Sequence, residues 1–223
     1  MTMLLRTILC ILLLVSPALA SASAIDEHLK PMDEGEQDPS FATYRASLKA
    51  AIKSHDVTAL VKLLDPKIKL DFGGGEGIAT FKRKWRVSAP GTFVWKALAL
   101  IVENGGNFNS KTEFAAPYVY SAWPSDVDAF EFLAVTTKGA VMRSAPKADA
   151  SIVRSLDYDI LTVIRTASKP QHEATDKDWS EVKDAKGVHG FVLDRDLRSP
   201  IDYRAMFETR KGQWRMTVFL AGD

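Results

Sequence analysis

The chain has 223 residues, 46% of them hydrophobic and 26% charged. That is the mix of a globular protein, long enough for one large domain or two small ones and too mixed for a disordered tail or a many-pass membrane protein. Lys and Arg total 29 against 28 Asp and Glu, a formal charge of +1, which leaves no electrostatic footprint for nucleic acid or an acidic membrane surface.

After Arg6 the run from Thr7 to Val15 is almost wholly apolar, followed by Pro17 and the small-residue series Ala18 to Ala24. This order predicts a secretory signal peptide over 1–24, hence a periplasmic or secreted protein with no membrane span after signal removal. A spanning helix needs about 20 apolar residues, more than this run supplies. The one cysteine, Cys10, leaves with that segment, so the mature chain is expected to fold without disulfides, thiolate metal sites or a thiol nucleophile. Residues 25–39 are acidic, with Asp26, Glu27, Asp33, Glu34, Glu36 and Asp38, and predict a solvated linker.

Structure is expected to begin near Ser40. Phe41, Tyr44, Leu48, Ala51 and Ile52 follow the 3.6-residue period and predict a helix to about Lys53 with Ser40 as its cap. A second helix, capped by Asp56, carries Val57, Leu60, Val61 and Leu64 on one face and stops before Pro66. Ile68, Leu70 and Phe72 alternate with polar residues as a half-buried strand. The segment Gly73-Gly74-Gly75-Glu76-Gly77 lacks the Lys-Ser or Lys-Thr of a phosphate loop and predicts a strand-to-helix turn. Ile78, Phe81 and Trp85 then line a short helix, and Thr92 caps another that ends at Gly105. An aromatic region from Phe108 to Tyr120 and a strand over Phe130 to Thr136 follow.

Beyond Gly139 the texture changes to short β runs at 141–143, 152–156, 160–165, 180–183 and 190–193, the spacing of a small all-β barrel. The chain closes with a hairpin over Tyr203 to Leu220, turning at Arg210, Lys211 and Gly212. Its apolar face needs a partner, and the strand around Phe130 to Val135 is the expected one.

Val141-Met142-Arg143-Ser144-Ala145-Pro146, Ile152-Val153, Leu156, Val163, Trp179, Val182, Gly187, Gly190-Phe191-Val192 and Leu197 together resemble a bacterial Src-homology-3-type (SH3-like) domain over 139–198. Tyr158-Asp159 stands where that family usually has a basic residue and glycine, and the loop before Trp179 is long. Ala59-Leu60 to Phe81, with its helix, Asp65-Pro66, strand, glycine turn and helix, resembles the opening of a nuclear transport factor 2-like domain. The expected architecture is therefore an α+β domain, 40–138 plus 199–223, with helices on a mainly antiparallel sheet and a small all-β SH3-like barrel inserted at 139–198. In exported bacterial proteins the first resemblance implies a non-enzymatic module that binds cell-wall peptide or another envelope protein.

Within the barrel, Trp179 and Phe191 offer stacking surfaces for a sugar or peptide, with Tyr158 and Asp159 as polar contacts. Phe191 equally fits a core position, and a tryptophan can simply close one end of a small barrel. The alternative function is a small-molecule-binding or catalytic cavity in the α+β part, where Asp71 and Glu76 are the acids nearest the expected mouth. His28, His55, His172 and His189 share no ligand spacing, so neither metal nor cofactor is expected. No catalytic residue is assigned, and nothing in the pattern sets an oligomeric state.

Overall fold

The computed structural model describes residues 28–165 and 169–222; the expected signal segment lies outside them. Helix α1 (Pro39–Ser54) is capped by Asp38, whose carboxylate accepts from the Phe41 N–H at 2.8 Å. Pro39 takes a first-turn position, where a missing N–H costs nothing. The cap therefore falls two residues before Ser40, whose hydroxyl donates to Asp38 at 2.6 Å instead. Helix α2 (Val57–Leu63) starts from Asp56 as expected, with Oδ1 accepting from the Ala59 N–H at 2.9 Å. Strand β1 (Leu64–Lys69) begins before Pro66 rather than after it. It has one strand neighbour, β12, and an isolated bridge from Lys69 to Glu76 at its far end, and an edge strand tolerates proline where its N–H group has no ladder partner to lose.

The glycine turn leads into α3 (Ile78–Lys84), then α4 (Val94–Glu103), β2 (Asn107–Ser110), β3 (Glu113–Ala116) and the one-turn α5 (Tyr118–Ser121). Thr92 does not cap α4; its hydroxyl donates to the Trp85 carbonyl at 2.6 Å. The next strands are β4 (Phe132–Val135), β5 (Val141–Arg143), β6 (Ile152–Ser155), β7 (Ile160–Arg165), β8 (Trp179–Lys183), β9 (His189–Leu193) and β10 (Leu197–Arg198). The hairpin β11 (Arg204–Arg210) and β12 (Gln213–Leu220) completes the chain.

The first sheet has the order β1-β12-β11-β3-β2, antiparallel except for the parallel pair β1 and β12. Helices α1, α2 and α4 cover one face. Phe41 of α1 sits among Phe114, Trp214 and Phe207, at ring-centroid distances of 4.3, 5.0 and 5.7 Å. The hairpin thus finds its partners in β3 and β1, not in the strand around Phe130 to Val135.

That strand, β4, belongs to the second sheet, of order β10-β4-β7-β8-β9-β5-β6. Its Leu133 and Val135 enter a core with Met142, Leu156, Leu161, Val182, Val192 and Leu197. Ala134, on its other face, packs with Leu29, Tyr118, Val119 and Ile160. A strand buried on both faces presents no alternation, so its own residues do not say which sheet receives it. Among the described residues the second sheet runs open from β10 to β6 and does not close into a barrel. The coarse expectation holds: the chain is α+β with helices and two mainly antiparallel sheets.

Residues 28–38, expected as a solvated linker, are fastened to the fold. The guanidinium of Arg45, only 4% exposed, binds Asp33 and Glu36 at 2.5 Å each, as a buried cation requires. Glu34 accepts from the Phe108 N–H at 2.9 Å, and the Leu29 N–H donates to the Tyr158 carbonyl at 2.8 Å.

Candidate functional site

The hairpin β8–β9 sets the geometry. Trp179 pairs with Leu193, Glu181 with Phe191 and Lys183 with His189, so these side chains share the outward face. Ser180, Val182, Gly190 and Val192 point inward and are buried. Phe191 is therefore half-buried on the outside rather than a core residue; Val192 takes the core position beside it. Gly190 lets the sheet pack closely, because a Cβ there would meet the Met142 side chain and stand 2.8 Å from the Arg143 carbonyl oxygen.

Trp179 lies on the wall of a groove of about 330 Å³ with Val141, Arg143, Leu193, Arg195 and Asp196. Both charge signs and an aromatic face thus converge on one concave surface, the composition of a site that orients a polar ligand over an apolar floor. Arg143 is held from behind, its Nη1 donating to the Ala150 carbonyl at 2.7 Å. The residues flanking Trp179 are also fixed. Asp178 accepts from Lys169 Nζ at 2.7 Å and from the Thr175 N–H and hydroxyl at 2.9 and 2.6 Å. The Lys169 ammonium, followed by Thr175, holds the Asp178 carboxyl down to about 2. Ser180 Oγ donates to the buried Asp194 at 2.6 Å. Trp179 is thereby mounted between two anchored neighbours on the strand.

Tyr158 and Asp159 are not brought to this groove. They form the turn between β6 and β7, beside the β8–β9 connection and away from the Trp179 end of β8. The Asp159 carboxylate is buried, bonded to Arg154 and to the Asp157 N–H at 2.6 Å. Arg154 also binds Asp184 at 2.6 Å. Burial pushes the Asp184 carboxyl up, but Arg154 and the N–H groups of Val188 and Lys186 hold it below the usual carboxylate range. Tyr158 occupies the left-handed region at φ 60 and passes its carbonyl to Leu29. Both residues shape a turn. Of the four candidates, Trp179 alone lines the groove, with Phe191 on the same outward face. Arg143, Arg195 and Asp196 are the groove residues that sequence reasoning did not single out; each carries a charge that on its own reads as surface.

At the glycine turn of the α+β part, Asp71 is not a raised-pKa acid. Asp71 binds Lys84 Nζ and the Gly75 N–H, both at 2.7 Å, and is held below the usual carboxylate range by them, the opposite of the shift a general base needs. His172 is buried against Phe93 and Tyr203, with ring centroids 4.9 and 5.2 Å away. Among the described residues no three His, Asp or Glu side chains converge to hold a metal ion, and no helix is long and apolar enough to cross a membrane. No protein-family model matches the chain, and no curated protein shows significant similarity to it.

Proposed function

We propose that the chain is an exported, non-enzymatic binding protein in which the strands from β5 to β10 form a Src-homology-3-type module that recognises cell-wall peptide. The observation that carries this reading is the groove at Trp179. An indole on an anchored strand faces a concave surface that also presents Arg143, Arg195 and Asp196. A cell-wall stem peptide carries both carboxylates and amines on a short backbone, and those are the groups such a mixed-charge groove can orient. The residues that resemble the family support the reading from a second side: Arg143 ends β5, Trp179 and Val182 lie on β8, and Gly190-Phe191-Val192 runs along β9, three strands paired in succession.

The test is co-sedimentation of the purified protein with peptidoglycan sacculi. Retention of the parent, and its loss in Trp179→Ala with an unchanged circular dichroism spectrum, is the expected result. No retention of the parent, or equal retention of the folded variant, refutes the reading and leaves an envelope-protein partner to be sought instead.

A further inference from the structure

The face of the first sheet turned away from the helices holds a cation, Arg204, that no carboxylate among the described residues neutralises. Three arginines are buried among the described residues: Arg45, Arg198 and Arg204. Arg45 has Asp33 and Glu36. Arg198 has Asp202 at 3.7 Å and Gln171 at 3.1 Å. Arg204, on β11 and 7% exposed, has one long hydrogen bond, Nη1 to the Ile201 carbonyl at 3.3 Å. Its guanidinium carbon otherwise lies 4.9 Å from the ring centroid of Tyr120 and 5.8 Å from that of Phe72.

Arg204 lines a groove of about 420 Å³ whose apolar wall is Phe72, Tyr120, Met206, Val218 and Leu220, a size within the range of small-molecule sites. Phe72 is 61% exposed, a large apolar cost unless something covers it. It is not a floppy side chain on an open loop: the turn after it is closed by the Gly75 N–H on Asp71 at 2.7 Å, and a Cβ at Gly75 would run into that carboxylate. Glycine at position 75 lets the turn that carries Phe72, beyond the end of β1, close on the Asp71 carboxylate.

We propose that this groove binds a monoanionic amphiphile, an apolar chain bearing a single carboxylate, with the carboxylate on Arg204 and the chain along Phe72, Met206, Val218 and Leu220. A planar guanidinium accepts a carboxylate with two parallel hydrogen bonds, and a buried cation without a counter-charge gains more from that pairing than a solvated one. The charge is set by the rim. Lys69 and Arg204 line the groove with Asp71 and Glu76, and Asp71 is already bound to Lys84, so the groove accommodates one added negative charge and disfavours a dianion such as a phosphate monoester. The site lies on a different sheet from the Trp179 groove and stands or falls independently of it.

The test is isothermal titration of the purified protein with decanoate and decyltrimethylammonium, each below its micellar concentration, and with 1-decanol below its solubility limit. Decanoate should bind saturably at one site, and decanol and the cation at least about tenfold more weakly. Arg204→Met and Phe72→Ala should each weaken decanoate by about tenfold or more; the exposed Phe72 can be truncated without touching the core, so the outcome does not hang on the folding of the arginine variant. Absence of saturable decanoate binding, equal affinity for decanol, or undiminished affinity in Phe72→Ala overturns the proposal. So does a sedimentation dimer that Phe72→Ala dissociates, which would make a second copy the occupant of this face.

Discussion

Ser40 Oγ lies 2.9 Å from Trp214 Nε1 and 2.6 Å from Asp38 Oδ1, so a single hydroxyl accepts from the C-terminal hairpin while donating to the residue that caps α1. Trp214 is 7% exposed and packs edge-on against Phe41. Trp214→Ala should cost about 3–5 kcal/mol, a large share of an ordinary domain's stability. Ser40→Ala removes only the hydroxyl and should cost about 0.5–1.5 kcal/mol. Urea unfolding of the two variants measures both, and a Ser40 variant as damaging as the Trp214 one would show that the hydrogen bond, not the packing, holds hairpin and helix together.

Arg154 stands between the buried carboxylates of Asp159 and Asp184. Arg154→Met leaves two buried carboxylates without their cation, a change expected to cost about 3–5 kcal/mol. Arg154 helps to hold the Asp184 carboxyl below its usual range; without it that carboxyl takes up a proton at higher pH, so the deficit relative to the parent should shrink as the pH is lowered toward 4. Thermal unfolding of parent and variant at several pH values gives the comparison; a deficit independent of pH would point to lost packing by the arginine stem instead.

Burial beside Phe93 and Tyr203 holds the His172 imidazole below its ordinary 6.5. Asp202 and Glu173 pull the other way, and Arg198 and Lys96 add to the depression. The unfolded chain therefore takes up a proton that the folded protein refuses. Stability from this group is fully present above about 6.5 and declines as the pH falls through that value toward the lower folded one. The urea midpoint of the parent should drop between pH 8 and pH 5 more steeply than that of His172→Gln. Parallel pH profiles would exclude His172 as the source.

Gly190→Ala places a methyl group against the Arg143 carbonyl oxygen, at 2.8 Å, and against Met142. The methionine can move, whereas the backbone carbonyl of a paired strand cannot, so a loss of about 1–3 kcal/mol is expected. Because Val141 and Arg143 of the same strand line the Trp179 groove, retention on peptidoglycan should fall with stability. A melting curve and a sedimentation assay on one preparation test both.

Where periodicity or cap chemistry is local, the sequence carried the fold. Phe41 to Ile52 marked α1, Asp56 marked the start of α2, and the alternation on either side of Lys211-Gly212 marked the hairpin. Expectations failed where a residue's role depends on distant chain. Phe132 to Val135 is apolar on both faces, so nothing in it distinguishes a place beside β11 from its place beside β7. Asp33 and Glu36 look like solvated acids until Arg45 is buried against them. Trp179 was open between a ligand-facing place and the closure of a barrel end, and Phe191 fitted a core position, until the pairing of β8 and β9 fixed which alternate residues face out. Arg204 gave no signal, because its isolation is a property of what surrounds it and not of its own neighbours in sequence.

The first sheet places β12 and β11 at its second and third positions, between β1 and β3. The ribosome therefore makes both flanks of this sheet long before its middle. Until residues 204–220 emerge, β1 and β3 have no strand to bridge them, and the aromatic side chains of α1 and α4 have no floor. The strands β4 to β10 need nothing made later than Arg198, so the second sheet can assemble while the first waits. Insertion of the finished hairpin into that prepared gap is a long-range closure of the kind that lowers folding rates. Nascent chains arrested before Tyr203 would carry an ordered second sheet beside protease-sensitive helices, the opposite of the N-to-C order in which domains usually mature.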